Sequence, residues 1–220
     1  MKKKALGVGY TVFGLMCLYY CNYWFLHYTD KSLYHLLYQF SYFTNQTIIL
    51  CGIYCICLGL CYLGCIPLQK LVFNSYIKVG ITTYILMVSI GYYIGVARFC
   101  LVSWDELYIA QPHSIFMHLI APIVMALIYN TTPMEGKVIY PTFMWLSVYP
   151  MGYLIFANLY SMVTGNYIYP ILNPDIMGSH LEIPFAVFGG CILFWIIGFL
   201  VGARNNFCLD HNIGVRETDL

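Results

Sequence analysis

Long apolar runs separated by short polar breaks occupy most of this chain. The six runs cover residues 5–26, 42–66, 77–102, 114–129, 138–163 and 183–203. Each approaches the roughly 20 residues that a helix needs to cross the hydrocarbon core of a bilayer, although the fourth is shorter. The pattern predicts an all-α, polytopic membrane protein built as a bundle of six transmembrane helices.

The composition leaves no room for a soluble domain of any size. Hydrophobic residues make up 61% of the sequence and charged residues only 9%. We therefore expect one transmembrane domain over residues 1–203 and a short cytoplasmic tail over residues 204–220. Polar side chains within the spans are the first candidates for function, because a bilayer interior disfavours them unless they have a role.

Basic residues are distributed unevenly between the two sides that six alternating spans define. One side carries Lys2, Lys3, Lys4, Lys70, Lys78, Lys137, Arg204 and Arg216. The other side carries Lys31, while Arg98 lies near the end of the third span. The positive-inside rule then places both termini in the cytoplasm. The expected localisation is that of a multi-pass integral membrane protein, in the plasma membrane if the cell is bacterial.

The ten cysteines lie mostly within the spans, and five of them crowd the second span. Because residues four apart share a helix face, a soft-metal or haem site is one interpretation of Cys51 with Cys55 and Cys61 with Cys65. No paired histidine accompanies them, and cysteine also serves as a small apolar residue where helices approach closely. We expect helix packing here, and neither a metal nor another cofactor.

Two polar clusters lie near the non-cytoplasmic ends of the second and fourth spans. Thr44, Asn45 and Gln46 belong to the first, and His118 belongs to the second. If the second helix begins near Gln39 and the fourth near residue 113, Thr44 and His118 each lie about 8 Å into their helices, at ~1.5 Å per residue. Their side chains are therefore expected at a similar depth.

A hydroxyl group beside an imidazole is the minimum for nucleophilic acyl chemistry. His118, or His113 in its place, is a suitable base for the Thr44 proton because histidine titrates near neutrality. Asn45 and Gln46 are candidate donors to the developing oxyanion. The structural alternative is that Thr44 bonds to its own helix and His118 makes one interhelical hydrogen bond.

Arg98 lies near the non-cytoplasmic end of the third span and permits two interpretations. Its side chain can reach toward the interface or pair with Asp105 or Glu106. In a functional role, it would hold a lipid phosphate or a substrate carboxylate.

Three motifs occur in the order in which a known family carries them. They are residues 43–46 (Phe-Thr-Asn-Gln), His118 with Pro122, and residues 164–174 (Thr-Gly-Asn-Tyr-Ile-Tyr-Pro-Ile-Leu-Asn-Pro). In these motifs and in its six-span layout, the chain resembles the androgen-induced and androgen-dependent integral membrane hydrolases. It is more similar still to a bacterial branch of six-span proteins named for paired prolines.

The resemblance implies an activity and residue roles. Animal members of the family hydrolyse fatty acid esters of hydroxy fatty acids with a threonine nucleophile and a histidine base, which correspond to Thr44 and His118. It also implies that the turn at residues 169–174 covers a cavity for an acyl chain, which makes Tyr169 a candidate substrate-binding residue. The expected partner is a membrane lipid or acyl ester, and not a nucleic acid.

We therefore expect an intramembrane hydrolase of lipid esters. The main alternative is a non-enzymatic lipid-binding or small-solute transport protein that uses the same cavity. A transport path needs polar groups on both sides of the midplane, and the cytoplasmic halves of the spans read as almost purely apolar, which argues against transport. A third possibility is a structural subunit whose helices pack against another membrane protein.

Overall fold

Six long helices form the part of the molecule that the structure describes. The computed structural model describes residues 2–27, 31–99, 111–140, 144–169, 172–177 and 182–213. The long helices are α1 (Lys2–Cys21), α2 (Phe43–Tyr62), α3 (Ser75–Phe99), α4 (Pro112–Thr131), α5 (Val148–Thr164) and α6 (Glu182–Asp210). No β-strand occurs within the described ranges, where a single isolated bridge joins Asn74 and Glu135.

All six helices are long and apolar enough to cross a membrane, when α5 is taken with the 3₁₀ turn Met144–Ser147 before it. This confirms the predicted six-span pattern, although several ends differ. The second span is predicted to reach residue 66, but α2 ends at Tyr62. The sixth helix continues beyond Ala203 to Asp210, so the beginning of the predicted tail is helical.

Short helical segments connect the long helices at both ends of the bundle. One end holds Tyr23–His27, Leu33–Phe40 and Pro174–Met177, and the other holds Ile66–Leu68 and Gln69–Val72. We name the second the basic end, because α1 begins there with three lysines and Lys70 and Lys137 lie in its connections. The first is the far end.

Helices α1 and α2 pack closely through glycines that face one another. A Cβ atom built on Gly14 would lie 2.6 Å from the Gly52 carbonyl oxygen, and one built on Gly52 would lie 3.0 Å from the Gly14 oxygen. Seven residues along each helix, Gly7 and Gly59 face each other in the same way. Since any side chain at these positions would collide with the opposite backbone, glycine permits this antiparallel contact.

The cysteines of α1 and α2 contribute to the same core. Cys17, Cys51 and Cys55 are fully buried, and the Cys55 sulfur lies 3.5 Å from the sulfur of Met125 in α4. Within the described ranges, no group of three histidine, cysteine or acidic side chains lies close enough to hold a metal ion. Cys17, Cys51 and Cys55 pack in the core that α1, α2 and α4 share.

Lys78 lies in the interior at the basic end, where α3 meets the end of α4. Its side chain is 2% exposed, and its ammonium group donates hydrogen bonds to the carbonyl oxygens of Thr132 (2.9 Å) and Pro133 (3.0 Å). Thr82, Thr83 and Asn205 are also buried in the neighbouring turns of α3 and α6. The sequence pattern predicts that the helices are almost purely apolar at this end, and these buried polar side chains differ from that prediction.

Candidate functional site

Thr44 lies in the first turn of α2. The helix begins at Phe43, four residues later than the predicted start, because Tyr42 has an extended backbone (ψ 130°) that separates α2 from the segment Leu33–Phe40. Thr44 is therefore the second residue of the helix, at its N-terminus, and its side chain is half-buried. Free backbone N–H groups at such a position create partial positive charge, which favours a nearby anion.

Asn45 and Gln46 form hydrogen bonds that link this turn to the preceding helical segment, Leu33–Phe40. The Asn45 side-chain amide donates to the carbonyl of Gln39 at 2.7 Å, and that of Gln46 donates to the carbonyl of Phe40 at 2.9 Å. The Gln46 side-chain oxygen accepts a hydrogen bond from Tyr149 of α5 at 2.7 Å. Both residues are therefore engaged in holding the start of α2 in place.

Tyr169 reaches the start of α2 from the connection after α5. Its hydroxyl oxygen accepts a hydrogen bond from the Phe43 backbone N–H at 3.0 Å, and it also interacts with the side chains of Thr44 and Tyr153. Gly165 ends α5 in the left-handed conformation (φ 71°), which turns the chain back toward α2. Burial raises the pKa of Tyr169, so its phenol is protonated at neutral pH and can donate a hydrogen bond.

A pocket of about 340 Å³ opens beside this cluster. Gln46 lines it from α2, and Tyr149, Tyr153 and Phe156 line it from α5. Tyr153 is anchored by a 2.8 Å hydrogen bond to the carbonyl of Ser41. These α5 side chains are not among the predicted site residues, although the spacing of Tyr149 and Tyr153 places them on one helix face.

His118 lies in a five-residue π-helical segment within α4, Phe116–Ile120. Its Nδ1 is 3.0 Å from the Ser114 carbonyl oxygen, and its ring stacks on Tyr92 of α3 with 3.6 Å between centroids. Because a carbonyl can only accept, Nδ1 carries the proton and Nε2 keeps the lone pair that a base needs. The imidazole is almost completely buried.

Pro122 explains a second contact of His118. Proline has no N–H to donate to the carbonyl four residues earlier, which is that of His118. The hydroxyl of Ser89 in α3 donates to this carbonyl at 2.6 Å instead. A carbonyl that loses its backbone donor in this way needs a donor from a neighbouring group, and Ser89 supplies it.

Thr44 and His118 have different neighbours in this structure. Thr44 contacts Tyr169, whereas His118 contacts Ser114 and Tyr92, and no hydrogen bond among the described residues joins the two. His113 is also buried, with its ring stacked against Tyr23 at 5.3 Å. The Ser114 hydroxyl lies 3.3 Å from Nδ1 of His118.

Several predicted residues fall outside what the structure describes. The backbone of Arg98 belongs to α3, but its side chain lies outside the described part, as do Asp105 and Glu106. Pro170, in the turn that the resemblance assigns to the cavity, lies outside it as well. The expected roles of these residues remain predictions.

Comparisons with known proteins place the chain in no family. No family model matches it, and neither a curated protein nor a solved structure shows significant similarity. The likeness to the integral membrane hydrolases therefore remains a prediction that rests on the three motifs.

Proposed function

We propose that Thr44, Asn45, Gln46 and Tyr169, which we call the far-end cluster, bind the ester group of a membrane lipid. The chain then hydrolyses this ester with Thr44 as nucleophile. The observation that carries the proposal is the meeting of the Thr44 hydroxyl with the Tyr169 phenol at the first turn of α2. A helix N-terminus and a protonated phenol both favour a developing oxyanion. The adjacent pocket, lined mainly by aromatic side chains, offers a place for an acyl chain.

The proposed reaction uses His118 as the base. The Thr44 oxygen attacks the ester carbonyl carbon while its proton passes to Nε2 of His118. The bond to the alcohol oxygen then breaks, that oxygen takes the proton from the imidazolium, and the acyl group remains on Thr44. Water deprotonated by the same nitrogen attacks the acyl group and releases the fatty acid. The bond from Nδ1 to Ser114 supports the tautomer that this requires.

The separate surroundings of Thr44 and His118 favour a second candidate, which is lipid binding without hydrolysis. In the ranges that the structure describes, the two side chains share no hydrogen bond, so the hydrolase requires them to approach when substrate binds. The two candidates share a ligand class and differ in whether Thr44 reacts.

The proposed topology has both termini in the cytoplasm and the far-end cluster on the opposite side of the membrane. The lysines that begin α1, together with Lys70 and Lys137, support it, because basic connections are retained on the cytoplasmic side. In a bacterial cell the membrane would be the plasma membrane.

An alkyl fluorophosphonate probe tests the hydrolase on purified protein in detergent. We expect wild-type protein to be labelled, Thr44→Ser to keep the label, and Thr44→Ala and His118→Ala to lose at least about 100-fold in labelling rate. Thr47→Ala and His113→Ala are matched controls, since each removes the same group from a neighbouring buried position. Both controls should retain the label.

Each other outcome of this experiment has a defined meaning. Labelling that persists in Thr44→Ala excludes Thr44 as nucleophile, and peptide mapping then tests Ser114. Wild-type protein that stays unlabelled, yet retains an intact long-chain ester in native mass spectrometry, supports lipid binding without hydrolysis.

A further inference from the structure

A second pocket, of about 200 Å³, lies toward the basic end between α3, α4 and α6. The lining of each helix includes a polar and an apolar residue four positions apart: Thr82 and Leu86, Asn130 and Ala126, and Arg204 and Leu200. Tyr129 and Val201 complete the lining. This pocket shares no lining residue with the far-end cluster, and the inference below does not depend on the proposed hydrolase.

The polar and apolar lining residues form two layers. α3 begins at the basic end, whereas α4 and α6 finish there, so Thr82, Asn130 and Arg204 all lie nearer that end than their apolar counterparts. Four residues along a helix correspond to about 6 Å. The pocket therefore has a polar layer toward the basic end and an apolar layer one helical turn deeper, which is the order of groups in a membrane lipid.

The polar layer contains a buried hydrogen-bond donor that has no partner among the described residues. Nη1 of Arg204 is buried and donates no hydrogen bond to any described residue. Thr82, which is 3% exposed, places a second hydrogen-bonding group in the same layer. Burying a guanidinium N–H group costs free energy unless the group donates a hydrogen bond, and a phosphate oxygen is a suitable acceptor.

Positive charge is concentrated around Tyr129, which also lines the pocket. The Lys78 ammonium lies 5.4 Å from the centre of the Tyr129 ring, and the Arg204 guanidinium interacts electrostatically with the same side chain. Asp210, near the end of α6, is already paired with Lys137. An anion in the polar layer would balance the two cations.

We propose that this pocket binds the phosphate group of an anionic phospholipid from the surrounding bilayer. Arg204 and Thr82 donate to the phosphate oxygens, and the first part of an acyl chain lies against Leu86 and Leu200. Leu200 is 61% exposed, so the pocket opens sideways on the surface that faces lipid. A free phosphate ion has the same charge chemistry but would leave the apolar layer unused.

Native mass spectrometry of the full-length protein in detergent tests the proposal. The probes are dioleoyl phosphatidylglycerol, dioleoyl phosphatidylcholine and inorganic phosphate. We expect the phosphatidylglycerol affinity to fall about tenfold in Arg204→Gln and about threefold in Thr82→Val. Lys70→Gln removes an exposed charge from the same end, outside the pocket, and should change the affinity less than about twofold.

A second readout separates ligand binding from a merely structural effect. Phosphatidylglycerol should raise the melting temperature of wild-type and Lys70→Gln protein, and this increase should disappear in Arg204→Gln. Without lipid, Arg204→Gln should melt at or above the wild-type temperature, because the substitution removes an unpaired buried donor.

Three results would overturn the proposal. Equal losses of affinity in Arg204→Gln and Lys70→Gln would mean that the overall positive charge at this end attracts phosphatidylglycerol, and that the pocket does not bind it. Equal affinity for phosphatidylglycerol and phosphatidylcholine would exclude recognition of an anionic lipid. Binding of inorganic phosphate as tight as that of the lipid, and equally sensitive to Arg204→Gln, would assign the pocket to a free anion.

Discussion

At the scale of single residues, Lys78 is held by backbone oxygens. Its ammonium group donates to the carbonyl of Tyr129 in the last turn of α4 at 3.4 Å, besides those of Thr132 and Pro133 just beyond the helix. Positive charge is favourable at the C-terminus of a helix, where the backbone dipoles point their negative ends. Lys78 therefore caps α4 from a neighbouring helix.

Replacing Lys78 tests this cap. We expect Lys78→Met to lower the free energy of unfolding by about 3 kcal/mol, because the carbonyls lose their donor while the side-chain volume is nearly conserved. Lys70→Met is the matched control, since Lys70 is exposed, and it should leave stability nearly unchanged. Thermal unfolding in detergent measures both, and equal melting temperatures for the two variants would contradict the role assigned to Lys78.

His118 shows the limit of residue-level reasoning from sequence. The sequence identifies it as a polar group in a span, and Pro122 explains why Ser89 must approach its carbonyl. Depth alone cannot identify the groups beside its ring, because the partners Tyr92 and Ser114 depend on how α4 is rotated about its axis. Rotation follows from packing between helices that are distant in sequence.

At the scale of elements, the six helices follow from the apolar runs, whereas several helix ends do not. The second apolar run continues beyond Tyr62, although α2 ends there. The last apolar run ends at Ala203, although α6 continues through polar residues to Asp210. Backbone conformation decides the ends, as the extended Tyr42 does at the start of α2. Hydropathy reports the environment of a segment and carries little information about where its hydrogen bonding stops.

The glycine contact between α1 and α2 gives a prediction at this scale. We expect Gly14→Ala to destabilise the protein by about 1–3 kcal/mol, because its new methyl group would meet the Gly52 backbone. Gly9→Ala is the control on the same helix, since nothing lies within 4 Å of a Cβ atom there. That substitution should be neutral or stabilising by up to about 1 kcal/mol.

Thermal unfolding of the two alanine variants, side by side, measures the difference. The close-packing account requires Gly14→Ala to melt below both Gly9→Ala and the wild type. If both variants melt at or above the wild-type temperature, α1 and α2 do not approach at Gly14 as closely as the structure indicates.

At the scale of the whole molecule, the proposed orientation can be tested with one thiol. Cys65 is exposed in the connection between α2 and α3, at the basic end. In intact cells, we expect a membrane-impermeant maleimide not to label Cys65, and labelling to follow once the membrane is permeabilised. The Cys65→Ser variant gives the background from other thiols. Cys65-dependent labelling in intact cells would show the opposite orientation.

The two polar sites at opposite ends were not equally visible in the sequence. Thr44 and its neighbours stand out because they form a continuous polar stretch at the edge of an apolar run. Thr82, Asn130 and Arg204 come from three helices that are far apart in the sequence. Only the packing of α3, α4 and α6 brings them together, so a residue-by-residue search does not find this pocket.

The glycine-lined contact of α1 and α2 also bears on how the protein is made. Both helices lie within the first 62 residues, and all the glycines that bring them together belong to this segment. The pair can therefore assemble in the bilayer while the ribosome is still synthesising the other four helices. Each later helix then meets a helical hairpin that is already formed.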